Sequence, residues 1–171
     1  EYIYDTLFVK PQNYQISLID KKDVLYSKRV MILKKKIHKG CFVQDIGNFE
    51  IIKATHNFYF DKNLIDVCAA PGGKSILLQS LGFKIFAIDK SQKQINKLKE
   101  NINRLNIKLD IQKVNFLKQK FTNKYNSILL DAPCSALGTF RRNPDVSVKI
   151  DPSQIKKHQK TQLEMIEKSL K

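Results

Sequence analysis

From residue 64 onward the apolar positions fall into short blocks. Leu64-Ile65-Asp66-Val67-Cys68 is a mostly apolar run that predicts a buried strand. A Pro71-Gly72-Gly73 turn follows, then a helix over residues 75–81 stopped by Gly82. Residues 84–88 predict a second strand, closed by Asp89. Ser91 and Gln94 have the spacing of a capping box, and Ile95, Leu98, Ile102 and Leu105 recur at helical spacing behind them. Residues 109–114 and 127–130 predict a third and a fourth strand. Pro152 behind Asp151 marks the start of a last helix, to which Leu163, Ile166 and Leu170 give an apolar face.

Earlier in the chain the pattern is weaker. Residues 2–4 and 7–9 suggest short strands, residues 34–39 form a basic run, and residues 44–57 suggest a helix interrupted by Gly47. Strands alternating with helices predict an α/β domain with a largely parallel sheet, covered on both faces. The last predicted element is a helix with no strand behind it, so the sheet is expected to be incomplete. No internal repeat or low-complexity tract is evident.

Length and composition narrow the class. With 171 residues and 42% hydrophobic content, the chain suffices for one domain and part of a second. No apolar run approaches the roughly 18 residues of a membrane span. The first residues have no basic leader ahead of an apolar stretch, so a cytoplasmic protein is expected. The chain starts on Glu1 rather than Met, which suggests a cut. A net charge of +15 points to a polyanionic partner, nucleic acid foremost. A biased base composition is the competing account, because Lys, Ile and Asn are all abundant. Cys41, Cys68 and Cys134 form no CxxC pair, so no metal site is expected. His38, His56 and His158 are far apart and read as surface residues.

The turn Ala69-Ala70-Pro71-Gly72-Gly73-Lys74-Ser75 lies where open α/β sheets bind ligands, between the end of a strand and the start of a helix. Glycine permits close backbone approach, and the helix start offers unpaired N–H groups. The nicotinamide fingerprint GxGxxG is absent. Gly73-Lys74-Ser75 fits the end of a phosphate loop, and Ile128-Leu129-Leu130-Asp131 resembles the strand that accompanies one, so a nucleotide hydrolase is an alternative. Against it, Cys68 stands where that loop needs its first glycine, and Asp89 is placed to accept hydrogen bonds from a ribose.

Asp131-Ala132-Pro133-Cys134-Ser135 follows the fourth strand at the same edge. Methylation at carbon 5 of a pyrimidine needs a thiolate to add at carbon 6. It also needs a base for the carbon-5 proton and an acid near the ring nitrogen. Cys134 and Asp131 supply a thiol and a carboxyl; alternatively, Cys134 is a small buried hydrophobe.

Three motifs in order, DVCAAPGGKS (66–75), AID (87–89) and LLDAPCSALGTFRRNPDV (129–146), resemble the Sun-type, or RsmB-type, bacterial rRNA 5-methylcytosine methyltransferases. Phe42-Val43-Gln44-Asp45 is similar to a stretch that precedes the glycine turn in that family. The resemblance implies a Rossmann-like class I S-adenosylmethionine-dependent methyltransferase core over residues 41–171, behind residues 1–40 from the end of a small preceding α/β domain or linker. It implies S-adenosylmethionine as cofactor, held by Cys68, Ala69, Ala70, Pro71, Gly72, Gly73 and Lys74, with Asp89 on the ribose. Asp131 would lie between cofactor and cytosine, and Cys134 matches the family cysteine that helps release product. Arg141 and Arg142 would contact RNA or shape the pocket. The implied substrate is an unpaired cytosine of small-subunit rRNA, met by a monomer with no membrane attachment.

Two departures bear on activity. Asn115 stands where the family has an Asp near the adenine; it can accept and also donate a hydrogen bond. The family's attacking cysteine belongs to a Thr-Cys motif on a later strand, so the chain is expected to be a C-terminally truncated, inactive fragment. The family's N-terminal RNA-binding domain is likewise not expected within these 171 residues. In DNA cytosine-5 methyltransferases the Pro-Cys loop usually continues with Gln; Ser135 here favours RNA. A non-catalytic RNA-binding module is the remaining alternative.

Overall fold

The computed structural model describes residues 14–17, 31–32, 41–43, 46–59, 61–122, 124–139 and 151–171. They fall into two units, one within residues 13–131 and the other within residues 132–171. The strands expected at residues 2–4 and 7–9 and the basic run at 34–39 lie outside the described residues, as do Arg141 and Arg142.

The first unit opens with a small antiparallel sheet of β1 (Tyr14–Ser17), β2 (Met31–Ile32) and β3 (Cys41–Val43), in the order β2-β1-β3. Helix α1 (Ile46–Thr55) follows and buries Phe49 and Ile52. The main sheet is wholly parallel: β4 (Asn63–Asp66), β5 (Lys84–Asp89), β6 (Asp110–Lys113) and β7 (Ser127–Leu129), ordered β6-β5-β4-β7. Helices α2 (Gly73–Ser80) and α3 (Gln92–Leu105) make the crossovers from β4 to β5 and from β5 to β6.

Period-two alternation gives β4 two apolar faces. Leu64 joins Ile85 and Ala87 in a core with Phe49 and Ile52 of α1, Ile76 and Leu78 of α2, and Leu98 and Ile102 of α3. Ile65, Val67 and Ile88 are buried as well. Each such aliphatic side chain contributes about 1.5–3 kcal/mol by leaving water. The crossover from β6 to β7 carries no helix among its described residues. Aromatic side chains occupy it instead. Phe116 and Phe121 pack with ring centroids 5.7 Å apart, and Tyr125 stacks on Phe86 of β5 at 6.2 Å.

Local signals fix the helix ends. After α2, Gly82 takes a left-handed φ of 86°. Gly82 N–H then donates to Gln79 O, and Phe83 N–H to Leu78 O, which closes a Schellman motif. The helix starts at Gly73, two residues earlier than the sequence pattern suggests, because Gly72 and not an Asx or Ser residue is its cap. For α3, Ser91 Oγ accepts Gln94 N–H at 3.4 Å as the capping spacing predicts. The reciprocal half of that box is absent: Ser91 N–H donates to Asp89 Oδ1 at 2.8 Å instead.

In the second unit, α4 (Pro152–Ser169) starts as expected, with Asp151 accepting from Ser153 N–H at 2.9 Å. Its buried side corrects the sequence reading. Leu163, Ile166 and Leu170 are exposed, at 54%, 47% and 84%, and Met165 is the apolar residue buried. Gln162 explains the choice of face: its Nε2 donates to Pro133 O at 2.9 Å and ties that side of the helix to the loop.

Candidate functional site

Parallel strands place their carboxyl ends on one edge, and β4 is where the strand order reverses direction, with β5 on one side and β7 on the other. Open α/β sheets take their ligands at such a reversal. The segment between β4 and α2 crosses this edge. It is strapped to both neighbouring strands: Val67 N–H donates to Leu129 O and Ala69 N–H to Ile88 O, each at 3.1 Å. The Ala70-Pro71 peptide is cis. From behind, Asn101 of α3 donates through Nδ2 to Pro71 O at 3.0 Å.

Gly72 has a φ of +107°, and a Cβ there would stand 2.3 Å from Leu98 Cδ1 and 3.1 Å from Ile76 Cδ1. The sequence reading assigned this glycine to close approach by a ligand. Its surroundings also require a glycine for a second reason, which is to let the turn lie flat on α3.

Beneath the turn, Asp66 is buried, and its Oδ2 accepts the Ser75 hydroxyl at 2.6 Å. Its Oδ1 has no hydrogen-bond partner among the described residues. Burial raises this carboxyl to a pKa of about 7, against the opposing pull of the Ser75 hydroxyl and the Cys68 N–H. The sequence reading did not single out Asp66, Ser75 or Asn101. The available signal was a carboxylate inside an otherwise apolar strand, followed nine residues later by a hydroxyl at the start of a helix.

Cys68 is half-buried, and its thiol is pushed up to about 12, first by burial and then by the charges of Asp89, Asp66 and Asp131. A thiol held so firmly in its neutral form is not a nucleophile. Asp131 is engaged by Lys74, whose Nζ reaches Asp131 Oδ2. The lysine that a phosphate loop needs is thus spent on a carboxylate.

Asp89 closes β5. Its Oδ1 is taken by Ser91 N–H, and its backbone carbonyl accepts Val114 N–H at 2.9 Å. Asn115 is exposed and organises the turn after β6: its Oδ1 accepts Leu117 N–H at 3.2 Å, and its carbonyl accepts Lys118 and Gln119 N–H. With the side-chain oxygen engaged, Nδ2 is the group left for a ligand. The turn, Asp89, Asn115 and Asp131 all lie at the carboxyl edge of the main sheet. Cys134 belongs to the second unit, where it is exposed and its Sγ accepts Ala136 N–H at 3.3 Å.

Residues 55–171 match the family model described as 16S rRNA methyltransferase RsmB/F. A probable ribosomal RNA small subunit methyltransferase B from Coxiella burnetii is 33% identical over 138 residues, which is 74% of this chain and 31% of that protein. A ribosomal RNA small subunit methyltransferase B from Shewanella oneidensis is 39% identical over 48% of this chain and 21% of its own length. The chain thus spans between about a fifth and a third of these relatives. Among solved structures, PH0851 superposes with a TM-score of 0.77 at 21% identity, covering 98% of this chain and 45% of that one. NSun6 from Pyrococcus horikoshii, solved with SFG, superposes at 0.66 with 25% identity, covering 92% of this chain and 45% of that one.

Proposed function

The chain belongs to the RsmB/F family of 16S rRNA methyltransferases, and from that premise we propose that its first unit is the cofactor-binding part of an enzyme that methylates carbon 5 of an unpaired cytosine in small-subunit rRNA. The cofactor, S-adenosylmethionine, supplies when bound an electrophilic methyl on a positively charged sulfur. One observation carries this reading: at the carboxyl edge of the sheet, the turn's Lys74 is paired with Asp131 while Asp89 ends β5 with Oδ2 open to a ligand. Asp66 lies buried beneath the turn, bonded to Ser75, so Asp89 is the carboxylate left to meet a ligand. With the turn's lysine taken by Asp131, the arrangement offers an acceptor for a nucleoside and no ready cation of the turn for a triphosphate.

Cys68 to Lys74 would hold the cofactor largely through backbone, since the turn is fixed by its straps and by Asn101. Asp89 Oδ2 would accept the ribose hydroxyls while Ser91 N–H steadies Oδ1. Asn115 would donate from Nδ2 toward the adenine. Lys74 orients Asp131, whose carboxyl would stabilise the cytosine adduct near its ring nitrogen. Cys134, an exposed thiol, would help release the methylated base, and Arg141 and Arg142 would meet the RNA backbone. The attacking thiol of this mechanism needs a Thr-Cys pair, and the 171 residues contain none. Acting as a cytoplasmic monomer is part of the same proposal. The nucleotide-hydrolase alternative is disfavoured by the Lys74–Asp131 pair and by Asp89 at the end of β5.

Calorimetric titration of the 171-residue chain is expected to show weak, saturable heat with S-adenosylmethionine and none with ATP. Asp89→Asn should lower the cofactor affinity by about tenfold, the equivalent of one charge-assisted hydrogen bond. ATP binding without S-adenosylmethionine binding would refute the reading. So would 5-methylcytosine made by this chain alone, since the proposed nucleophile is not in it.

A further inference from the structure

The positive charge of this chain is unevenly placed. Residues 46–83 carry three lysines and three carboxylates, whereas residues 84–124 carry eleven lysines and arginines against three carboxylates. That second stretch is β5, α3, β6 and the segment leading to β7, one flank of the sheet. Helix α3 buries Ile95, Leu98 and Ile102. At 100° per residue its opposite side carries Lys93, Lys97 and Arg104 in one stripe, interrupted by Glu100. Lys93 and Lys97 are exposed, and Arg104 is half-buried. Lys90 precedes the helix and Lys108 follows it, both exposed. None of these four lysines forms an ion pair among the described residues.

The helix runs opposite to the strands. Lys90 and Lys93 therefore lie toward the carboxyl edge, where the turn is, and Lys108 toward the far edge. The 14 residues of α3 span about 21 Å between them, room for several consecutive phosphates.

We propose that the outer face of α3, from Lys90 to Lys108, is an RNA-backbone docking surface, separate from the site that receives the target cytosine. This rests on the RNA methyltransferase reading given above. The lysines act as point charges on phosphates and release counterions from them. They position the RNA without reading its sequence. Their lack of carboxylate partners leaves them solvated and ready to exchange water for phosphate, and the stripe leads toward the edge at which the cofactor turn sits.

The test uses the whole chain and a stem-loop RNA of about 30 nucleotides with an unpaired cytosine. Binding is followed by fluorescence anisotropy from 50 to 200 mM salt, about the range over which phosphate contacts are most visible. Lys93→Gln/Lys97→Gln/Lys108→Gln should weaken binding about tenfold at low salt and lower the slope of log K against log salt by about 2. Removing the same charge from α4, with Lys156→Gln/Lys157→Gln/Lys160→Gln, should change the slope by less than half as much. Equal losses from the two sets mean unspecific attraction to a cationic chain and overturn the proposal. An unchanged slope in the α3 variant, or no RNA binding by the unaltered chain, also overturns it. Titration of the same samples with S-adenosylmethionine keeps the two readings apart: cofactor binding that survives in the α3 variant leaves the function standing whichever way the RNA result falls.

Discussion

The turn after β4 and the outer face of α3 are neighbours in the fold and opposites in chemistry. At the turn, polar groups are paired inside the protein: Ser75 with Asp66, Lys74 with Asp131, Ser91 N–H with Asp89. On α3, Lys93 and Lys97 have no carboxylate partner among the described residues. Paired groups hold a fixed geometry, which suits a small ligand that must be aimed. Unpaired, solvated charges tolerate many geometries, which suits a polymer. The charge balance differs as well: at the turn Lys74 is matched by Asp131, whereas the flank carries an excess of ammonium. On the readings proposed above, a single chain with a large net charge combines a fixed site for a small cofactor with a surface for a polyanion.

The largest expected effect strikes the seam between the two regions. Gly72→Ala puts a methyl 2.3 Å from Leu98 Cδ1 at a φ of +107°. It should destabilise the fold by about 3 kcal/mol, adding overpacking to left-handed strain, and the loss is read from denaturant unfolding. A cost below about 1 kcal/mol would mean that the turn is not seated on α3 as described.

The next effect separates the regions by pH. Asp66 has a pKa raised from 3.8 to about 7. The folded chain therefore keeps a proton there that the unfolded chain sheds at about pH 4. Stability from this group is full below about pH 4, declines as pH rises toward 7, and levels off above it. The decline is of the order of a few kcal/mol. Asp66→Asn should remove it, so the difference in stability between variant and parent should grow in the variant's favour from pH 5 to pH 8. A difference that does not vary with pH would show that Asp66 titrates alike in both states.

The smallest effect belongs to the flank. Lys93→Gln/Lys97→Gln should leave thermal stability within about 0.5 kcal/mol of the parent, as solvated charges do. A larger loss would mean that these lysines serve the fold and not a ligand.

What the sequence made legible was local. Apolar runs gave β4 and β5, and the Ser91 and Asp151 caps gave the starts of α3 and α4. The edge that gathers the turn, Asp89, Asn115 and Asp131 followed from strand–helix alternation plus family motifs. The illegible parts are non-local. Lys74 and Asp131 are 57 positions apart, and nothing near either reports their pairing. The face that α4 buries depends on Gln162 meeting Pro133, 29 positions away, so its hydrophobic stripe was misleading. The half-formed capping box belongs to the same class, because Asp89 competes for the Ser91 N–H from outside the motif.

The contact between Gly72 and Leu98 gives one helix two tempos of change. On its inward side, Leu98 and Asn101 answer to the shape of the turn, so drift there must be matched by a partner in the loop. On its outward side, lysine can trade places with arginine or migrate by a helical turn while the field stays much the same. Homologues lined up along this helix should alternate accordingly, rigid and permissive every three or four residues.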